Sequence, residues 1–116
     1  MQVRADQLKG HLDLLVLGAL QDAPAHGYAL IERLRAASGG IVELPSGTIY
    51  PVLHRLEQAG WIASDWHEAN GRRRRVYRLT RRGQTELGRQ QAAWRTFADA
   101  VTRIAGTPPG PPRAAT

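Results

Sequence analysis

The chain has 116 residues, no cysteine and a formal net charge of +6, which limits both its size class and its chemistry. A chain of this length is expected to form one small domain, and the lack of cysteine excludes disulfides and thiolate metal sites. Fifteen of the sixteen cationic residues are arginine, the side chain best suited to bidentate contacts with phosphate and guanine. Nucleic acid is therefore the first partner to consider, although an arginine-rich proteome would give the same composition.

Several classes of protein are excluded by what the sequence lacks. No apolar run reaches the roughly 18 residues of a membrane span, and the first ten residues lack the plan of a signal peptide, so we expect a cytoplasmic protein of a prokaryote. The four histidines fall on four different predicted elements without ligand-like spacing, which predicts no metal site. No phosphate-binding loop, nucleophile elbow or acid pair is present, so we expect neither an enzyme nor a cofactor.

The first predicted helix runs from Gly10 to Gln21 and is apolar on two sides. Residues 1–9 before it are polar and are expected to form a flexible N-terminus, in which Val3 and Leu8 are the residues able to pack. One stripe of the helix faces a core. Leu14 and Leu17 lie off this stripe and are expected to meet another subunit or a helix from the C-terminal half.

A predicted turn over Asp22 to Ala25 leads into a second helix over His26 to Ala37, which ends at Ser38-Gly39-Gly40. Its inward side is expected to carry four residues: Tyr28, Leu30, Ile31 and Leu34. The stretch from Ile41 to Leu44 predicts a short edge strand.

A third helix, predicted from Ser46 to Trp61, has two chemically different sides. Four residues at helical spacing share its core side: Ile49, Leu53, Leu56 and Gly60. The opposite side carries hydroxyl and cationic groups, and its candidates for DNA contact are Thr48, Tyr50, Pro51, His54 and Arg55. Because Pro51 has no N–H to donate, the helix should begin only a few residues before it, with Ser46 or Thr48 as the cap.

Two of these candidates have structural alternatives. Tyr50 would also serve as an aromatic residue at the rim of the core. Arg55 would also serve as a solvated charge, or as an ion-pair partner of Glu57 or Glu32. The residue pattern leaves both alternatives open.

Asn70-Gly71 predicts a hairpin between strands over Trp61 to Glu68 and Arg73 to Leu79, because a type I′ turn needs positive φ at both central residues. The turn predicts a register that pairs Ala69 with Arg72, Trp66 with Arg75, Ser64 with Tyr77 and Ile62 with Leu79. On this register one face of the hairpin is apolar near its base and covers the helices.

The tip of this hairpin is strongly cationic. Seven of the eleven residues from 72 to 82 are arginine, and four are consecutive: Arg72, Arg73, Arg74 and Arg75. A solubilising loop is the alternative, but consecutive like charges repel one another and favour a compensating polyanion. We predict that these four arginines contact DNA.

After Thr80, a predicted N-cap, the chain is expected to be helical to about Ala105. Its apolar residues repeat as a heptad seam: Leu87, Trp94, Phe97, Val101 and Ile104. Folding back on the same domain is the alternative, but the other elements already account for a small core. Residues 83–105 are therefore predicted to form a dimerisation helix, with Leu14 and Leu17 in the same interface. The tail over residues 106–116 is expected to be disordered.

Residues 10–82 thus predict a winged helix-turn-helix domain, and the whole chain an α+β, mainly helical fold with a C-terminal dimerisation helix. The segments HGYALIERL, SGTIYPVLHRLEQAGWI and NGRRRRVYRLTRRG closely resemble the PadR family of transcriptional regulators, in its short subfamily. The resemblance implies a homodimeric protein that binds double-stranded DNA, usually as a repressor, with the third helix in the major groove. Residues that match the family's helix and wing motifs are Thr48, Tyr50, Pro51, Gly71, Arg72, Arg74 and Tyr77. Many members have proline where Arg73 stands.

Trp94 suggests an effector site. In a symmetric dimer its ring would face its own copy or the second apolar side of the first helix, near Leu14 and Leu17, and stacked rings can admit a planar guest. This arrangement is similar to that of some short PadR members, which hold an aromatic ligand between two tryptophans. The similarity implies a small aromatic effector that relieves repression. A tryptophan that only fills the interface is the alternative. For the whole chain, the alternative function is a winged helix that binds RNA or docks on protein without operator specificity.

Overall fold

The computed structural model describes residues 3–110, which form four α-helices and a three-stranded antiparallel sheet. The helices α1 to α4 span Leu12–Ala19, Gly27–Ala37, Ser46–Gln58 and Arg81–Ala105, and the strands β1 to β3 span Ala25–His26, Ile62–Ala69 and Arg72–Leu79. The strand order is β1, β3, β2, so the β2–β3 hairpin, the wing, is joined at its base by β1. This architecture confirms the predicted winged helix-turn-helix.

One hydrophobic core lies between α1, α2 and α3 and is closed by the base of the wing. Ile49, Leu53 and Leu56 of α3 are fully buried, as their spacing predicts, and Ile62 and Tyr77 cover the core from the sheet. Burial of each such aliphatic side chain contributes about 1.5–3 kcal/mol. The apolar stripe of α3 therefore holds the opposite, polar side of that helix toward solvent.

The wing has the predicted register, from Ala69 opposite Arg72 at the tip to Ile62 opposite Leu79 at the base. Asn70 and Gly71 have φ angles of 53° and 74°, which a type I′ turn requires. The turn therefore determines which wing residues share a face.

The start of α4 is locked to the junction between α3 and β2. Thr80 caps the helix as predicted, because its Oγ1 accepts from the Gly83 N–H at 3.0 Å and donates to the Gly60 carbonyl at 2.7 Å. A Cβ atom on Gly83 would lie 1.9 Å from the carbonyl oxygen of Trp61. Only glycine allows this close approach, which sets the direction of α4 relative to α3.

The ends of α3 differ from the prediction. Pro45 is the N-cap residue, and its carbonyl accepts from the Thr48 N–H at 2.9 Å, so the prediction of Ser46 or Thr48 as cap is wrong. The helix ends at Gln58 instead of Trp61, because the chain turns at Gly60 with a φ of 80°.

The edge of the sheet also differs. The predicted strand over Ile41 to Leu44 is reduced to a single bridge between Val42 and Val3. The third strand is instead β1, which pairs Ala25 with Tyr77 where a turn was expected.

Residues 3–9, expected to be flexible apart from possible packing of Val3 and Leu8, contact the rest of the domain at both of those residues. The Val3 N–H donates to the Ile41 carbonyl at 2.8 Å, and Ala5–Leu8 form a short 3-10 helix whose Leu8 packs against the core. Residues 106–110 have no regular structure. The rest of both predicted flexible ends, residues 1–2 and 111–116, lies outside the described residues.

Two leucines expected at a dimer interface belong to the core of their own chain. Leu17 is completely buried and Leu87 is 5% exposed, because α1 is packed between α2, α3 and α4. The second apolar side of α1 thus meets α4 of the same chain, which was one of the two expected possibilities. Leu14 remains half-buried at the edge of this contact.

Candidate nucleic-acid interface

The outward side of α3 displays the predicted contact residues. Pro51, His54 and Arg55 are exposed, Tyr50 is 46% exposed and Thr48 is half-buried. The Tyr50 ring lies directly over the first residue of α2, since a Cβ atom on Gly27 would come within 2.6 Å of that ring. Gly27 therefore leaves space for the Tyr50 ring, and this partly exposed position fits both a DNA contact and the alternative role at the rim of the core.

Arg55 is paired in the free protein, but not with the partners expected from the sequence. Its Nη1 donates to both carboxylate oxygens of Asp13 on α1, at 2.7 and 2.8 Å. The Arg55 side chain is 57% exposed, whereas the Asp13 side chain is 24% exposed. A phosphate can therefore reach the guanidinium from the outer side of α3, but full displacement of Asp13 would leave a half-buried carboxylate without its partner.

The four wing arginines fall into two pairs, because alternate residues of a strand point to opposite faces. Arg73 and Arg75 flank Trp66, with guanidinium carbons 4.9 and 5.3 Å from the centroid of its ring. On the other face, Arg74 reaches the imidazole of His26. This alternation separates the charges that the sequence places side by side.

Arg75 also ties the wing to α3. Its Nε donates to the Ser64 hydroxyl at 2.7 Å, that hydroxyl donates to the Glu57 carboxylate, and the Arg75 Nη2 lies 3.6 Å from the same carboxylate. Arg75 is half-buried as a result. The network orients the wing relative to α3 and occupies Arg75 in the free protein.

An open cleft of about 620 Å³ lies between the wing and the N-terminal ends of α2 and α3. Its walls are formed by aromatic and cationic groups: His26, Gly27, Tyr28, Tyr50, Trp66, Arg72, Arg73, Arg74, Arg75 and Tyr77. Within the described part of the chain no carboxylate lines this wing cleft. A concave surface of this composition attracts anions and offers rings to apolar groups beside them.

Five members of the wing cleft were not among the predicted DNA contacts: His26, Gly27, Tyr28, Trp66 and Tyr77. Tyr28 was predicted to face the core but is 66% exposed, because it lies in the first turn of α2 at the mouth of the cleft. Trp66 could have been found, since the predicted register places it opposite Arg75. No sequence pattern other than its position before Gly27 indicated His26. In the structure burial, followed by the positive charge of Arg74, lowers the pKa of His26.

A second exposed surface lies on α4. Trp94, Phe97, Val101 and Ile104 are between 43 and 87% exposed. Trp94 meets the ring of His11 edge-on at 5.2 Å, beside a cavity of about 330 Å³ between α1 and α4. Leu14 lines this cavity with Trp94, whereas Leu17 does not reach it.

Two predicted absences concern the described residues only. None of their helices is long and apolar enough to cross a membrane. No group of three or more histidine, aspartate or glutamate side chains among residues 3–110 is arranged to hold a metal ion.

Comparison with known proteins tests the winged-helix interpretation. Residues 16–89, more than half of the chain, match the transcriptional regulator PadR-like family. The chain belongs to the PadR-like family. This PadR-like protein is therefore a DNA-binding transcriptional regulator and not an enzyme, as the sequence predicts.

Individual relatives agree with this assignment. The transcriptional regulator Rv3488 of Mycobacterium tuberculosis is 35% identical over 88 residues, which cover 76% of this chain and 79% of that protein. A PadR family transcriptional regulator from Eggerthella lenta has a TM-score of 0.76 at 34% identity, over 89% of this chain and 88% of that chain. A transcriptional regulator from Clostridium thermocellum shares the fold, with a TM-score of 0.81 at 24% identity over 87% and 99% of the two chains.

Proposed function

We propose that this PadR-like protein is a homodimeric, sequence-specific repressor that acts in the cytoplasm and is released from its operator by a small aromatic effector. The observation that carries the DNA-binding part is the wing cleft, which four arginines line and, among the described residues, no carboxylate. Duplex DNA presents one negative charge per about 1.7 Å of its axis, and cations that neutralise phosphates release its counterions. The wing cleft thus has the charge that this partner requires.

Different parts of the interface would contact the base edges and the sugar-phosphate backbone of DNA. Thr48, Tyr50 and His54 stand on the exposed side of α3 and offer donors and acceptors to base edges in the major groove. The wing arginines, with Pro51 and Arg55 beside the same groove, would contact phosphates and sugars. Base contacts carry specificity, whereas phosphate contacts set position and affinity.

Dimerisation is supported by the exposed surface of α4. This helix has 25 residues, which gives a length of about 37 Å at 1.5 Å per residue. Its C-terminal half carries Trp94, Phe97, Val101 and Ile104 with their side chains largely exposed. We propose that these four, with Leu14, pack against a second copy. Leu17 and Leu87 are left out because the core of the chain buries them.

The cavity beside Trp94 is the proposed effector site. It has one aromatic wall, formed by Trp94 with Phe97 at 6.0 Å, and a second copy of α4 would close its open side. A planar aromatic probe such as quinacrine should quench tryptophan fluorescence of the free protein, and Trp94→Ala should abolish the quenching. Trp66→Phe, which removes the wing tryptophan, is the matched control and should retain it. Quenching that survives Trp94→Ala would exclude this site.

Operator recognition is tested by binding to the DNA upstream of the protein's own gene. The competitors are a scrambled duplex of equal length and an RNA of the same sequence, all at one salt concentration. We expect a preference of at least about 10³-fold for the upstream duplex. Equal binding to both duplexes, or tighter binding to the RNA, would favour the alternative of a winged helix without operator specificity.

A further inference from the structure

His26 stands where β1 becomes α2, and its imidazole has two roles at once. The Nδ1 atom accepts the backbone N–H of Ala29 at 3.2 Å and so caps α2. The Nε2 atom lies 2.8 Å from the Nη1 atom of Arg74 on the wing. The side chain therefore bridges the first turn of α2 and the strand β3, at the base of the wing cleft.

These two contacts cannot both be satisfied by the imidazole. A backbone N–H is always a donor, so Nδ1 must be the acceptor and a neutral ring carries its hydrogen on Nε2. A guanidinium has donors only, so the N–H groups of His26 and Arg74 point at the same space without an acceptor between them. The other tautomer would leave the Ala29 N–H against a second N–H instead. Two converging donors that lack an acceptor mark a place for an oxygen anion.

We propose that His26 and Arg74 together bind one phosphate of the DNA backbone, with the Nε2–H of the neutral imidazole and the guanidinium of Arg74 as the donors. The site opens on a second cavity of about 460 Å³ on the outer face of the wing, which Arg72 and His67 also line. No carboxylate lines that cavity among the described residues. This inference rests on the proposed DNA contact of the wing, to which it adds a residue of α2.

The neutral imidazole is the form that this site needs. In the free protein burial and then the positive charge of Arg74 lower the pKa of His26, which favours the neutral ring. A further proton would have to bind Nδ1, the ring nitrogen without a hydrogen, and would remove the acceptor for the Ala29 N–H. Protonation would therefore cost the cap of α2, so the phosphate contact should not require uptake of a proton by His26.

The test compares DNA affinity at about pH 8, where an ordinary imidazole is neutral, for the wild type, His26→Ser, Arg74→Gln and the double variant. Serine is a favoured N-cap residue, so His26→Ser keeps the cap of α2 and removes only the Nε2 donor. Since hydrogen bonds to charged groups are the stronger class, we expect His26→Ser to bind the upstream duplex roughly tenfold more weakly than the wild type. His54→Gln on α3 is the control: its loss should add to that of His26→Ser, because the two residues contact different groups of the DNA.

Two further readouts separate a phosphate site from a structural role. The losses of His26→Ser and Arg74→Gln should be less than additive in the double variant, because both residues contact the same phosphate. In NMR titrations of the free wild-type protein at the same pH, inorganic phosphate should shift the ring signals of His26 relative to chloride at equal ionic strength. An Arg74→Gln protein should lose that response while it keeps its fold.

The outcomes distinguish this site from the wider proposal. Operator binding by His26→Ser as tight as that of the wild type would overturn the site and leave the DNA-binding function standing. Ring signals of His26 that do not respond to phosphate in the NMR titration would also overturn it. Failure of the wild type to bind any duplex would overturn the wing contact itself and this site with it.

Discussion

Replacement of Arg72 by glutamine should remove one phosphate contact per protomer without disturbing the fold. The side chain is exposed, and within the described part of the chain it forms no hydrogen bond or ion pair. Each lost phosphate contact lowers the slope of log K against log salt by about 0.9, so a dimer that loses two contacts changes by about 1.8. Over a fourfold range of salt, that difference makes the variant about twelvefold less sensitive than the wild type.

The slope can be measured by fluorescence anisotropy on the upstream duplex and on a scrambled duplex. Phosphates are the same in every sequence, so the loss of affinity should be similar on both. Arg95→Gln, which removes the same charge from the exposed part of α4, is the control and should leave the slope unchanged. An Arg72→Gln slope equal to that of Arg95→Gln would show that the wing does not contact DNA.

Three further variants test base reading, the α4 junction and assembly. Tyr50→Phe keeps the ring over Gly27 and should weaken operator binding by about 1–3 kcal/mol, with a smaller loss on scrambled DNA; equal losses would limit Tyr50 to backbone contact. Gly83→Ala should lower the free energy of unfolding by about 1–3 kcal/mol in thermal denaturation, whereas Gly88→Ala, which meets nothing within 4 Å, should raise it by about 0.5–1 kcal/mol. The double variant Phe97→Glu and Val101→Glu should be monomeric by light scattering and lose operator binding; a dimer of unchanged mass would exclude this surface of α4.

The sequence could predict the features that depend on neighbours along the chain. The wing register follows from Asn70-Gly71, because a two-residue I′ turn leaves one pairing, and all of its predicted pairs are present. The buried side of α3 follows from the 3.6-residue period. The cap of α4 follows from Thr80 in front of a polar first turn.

The features that failed depend on contacts between distant residues. Arg55 and Asp13 are 42 positions apart, and Arg74 and His26 are 48 positions apart, so no local pattern indicates either pair. A strand of two residues, such as β1, has no periodicity to detect. Leu17 was predicted at a dimer interface because helical spacing cannot show that α4 covers the second side of α1.

In the candidate site, too, local patterns could be predicted from the sequence and contacts between distant residues could not. The residue types of α3 and the wing predicted an anion-binding surface, and the structure brings Tyr50 together with the four wing arginines around one cleft. The other α3 candidates do not line that cleft: Thr48, Pro51, His54 and Arg55. The sequence could not predict that the wing arginines differ in their contacts. Arg75 is bound to Ser64 and Glu57, whereas Arg72 is exposed at the wing tip. Sequence alone treats four consecutive arginines as equivalent.

A hydroxyl-radical footprint of the wild-type protein on the DNA upstream of its own gene tests the proposed function most directly. A dimer that places one α3 in each of two successive major grooves should protect two segments on one face of the duplex, with centres about 34 Å apart. In Arg72→Gln the protection at the outer flank of each segment, where the wing would lie, should weaken while the centres stay protected. A single protected segment, or uniform weak protection along the duplex, would contradict a dimeric repressor that reads its operator with α3 and the wing.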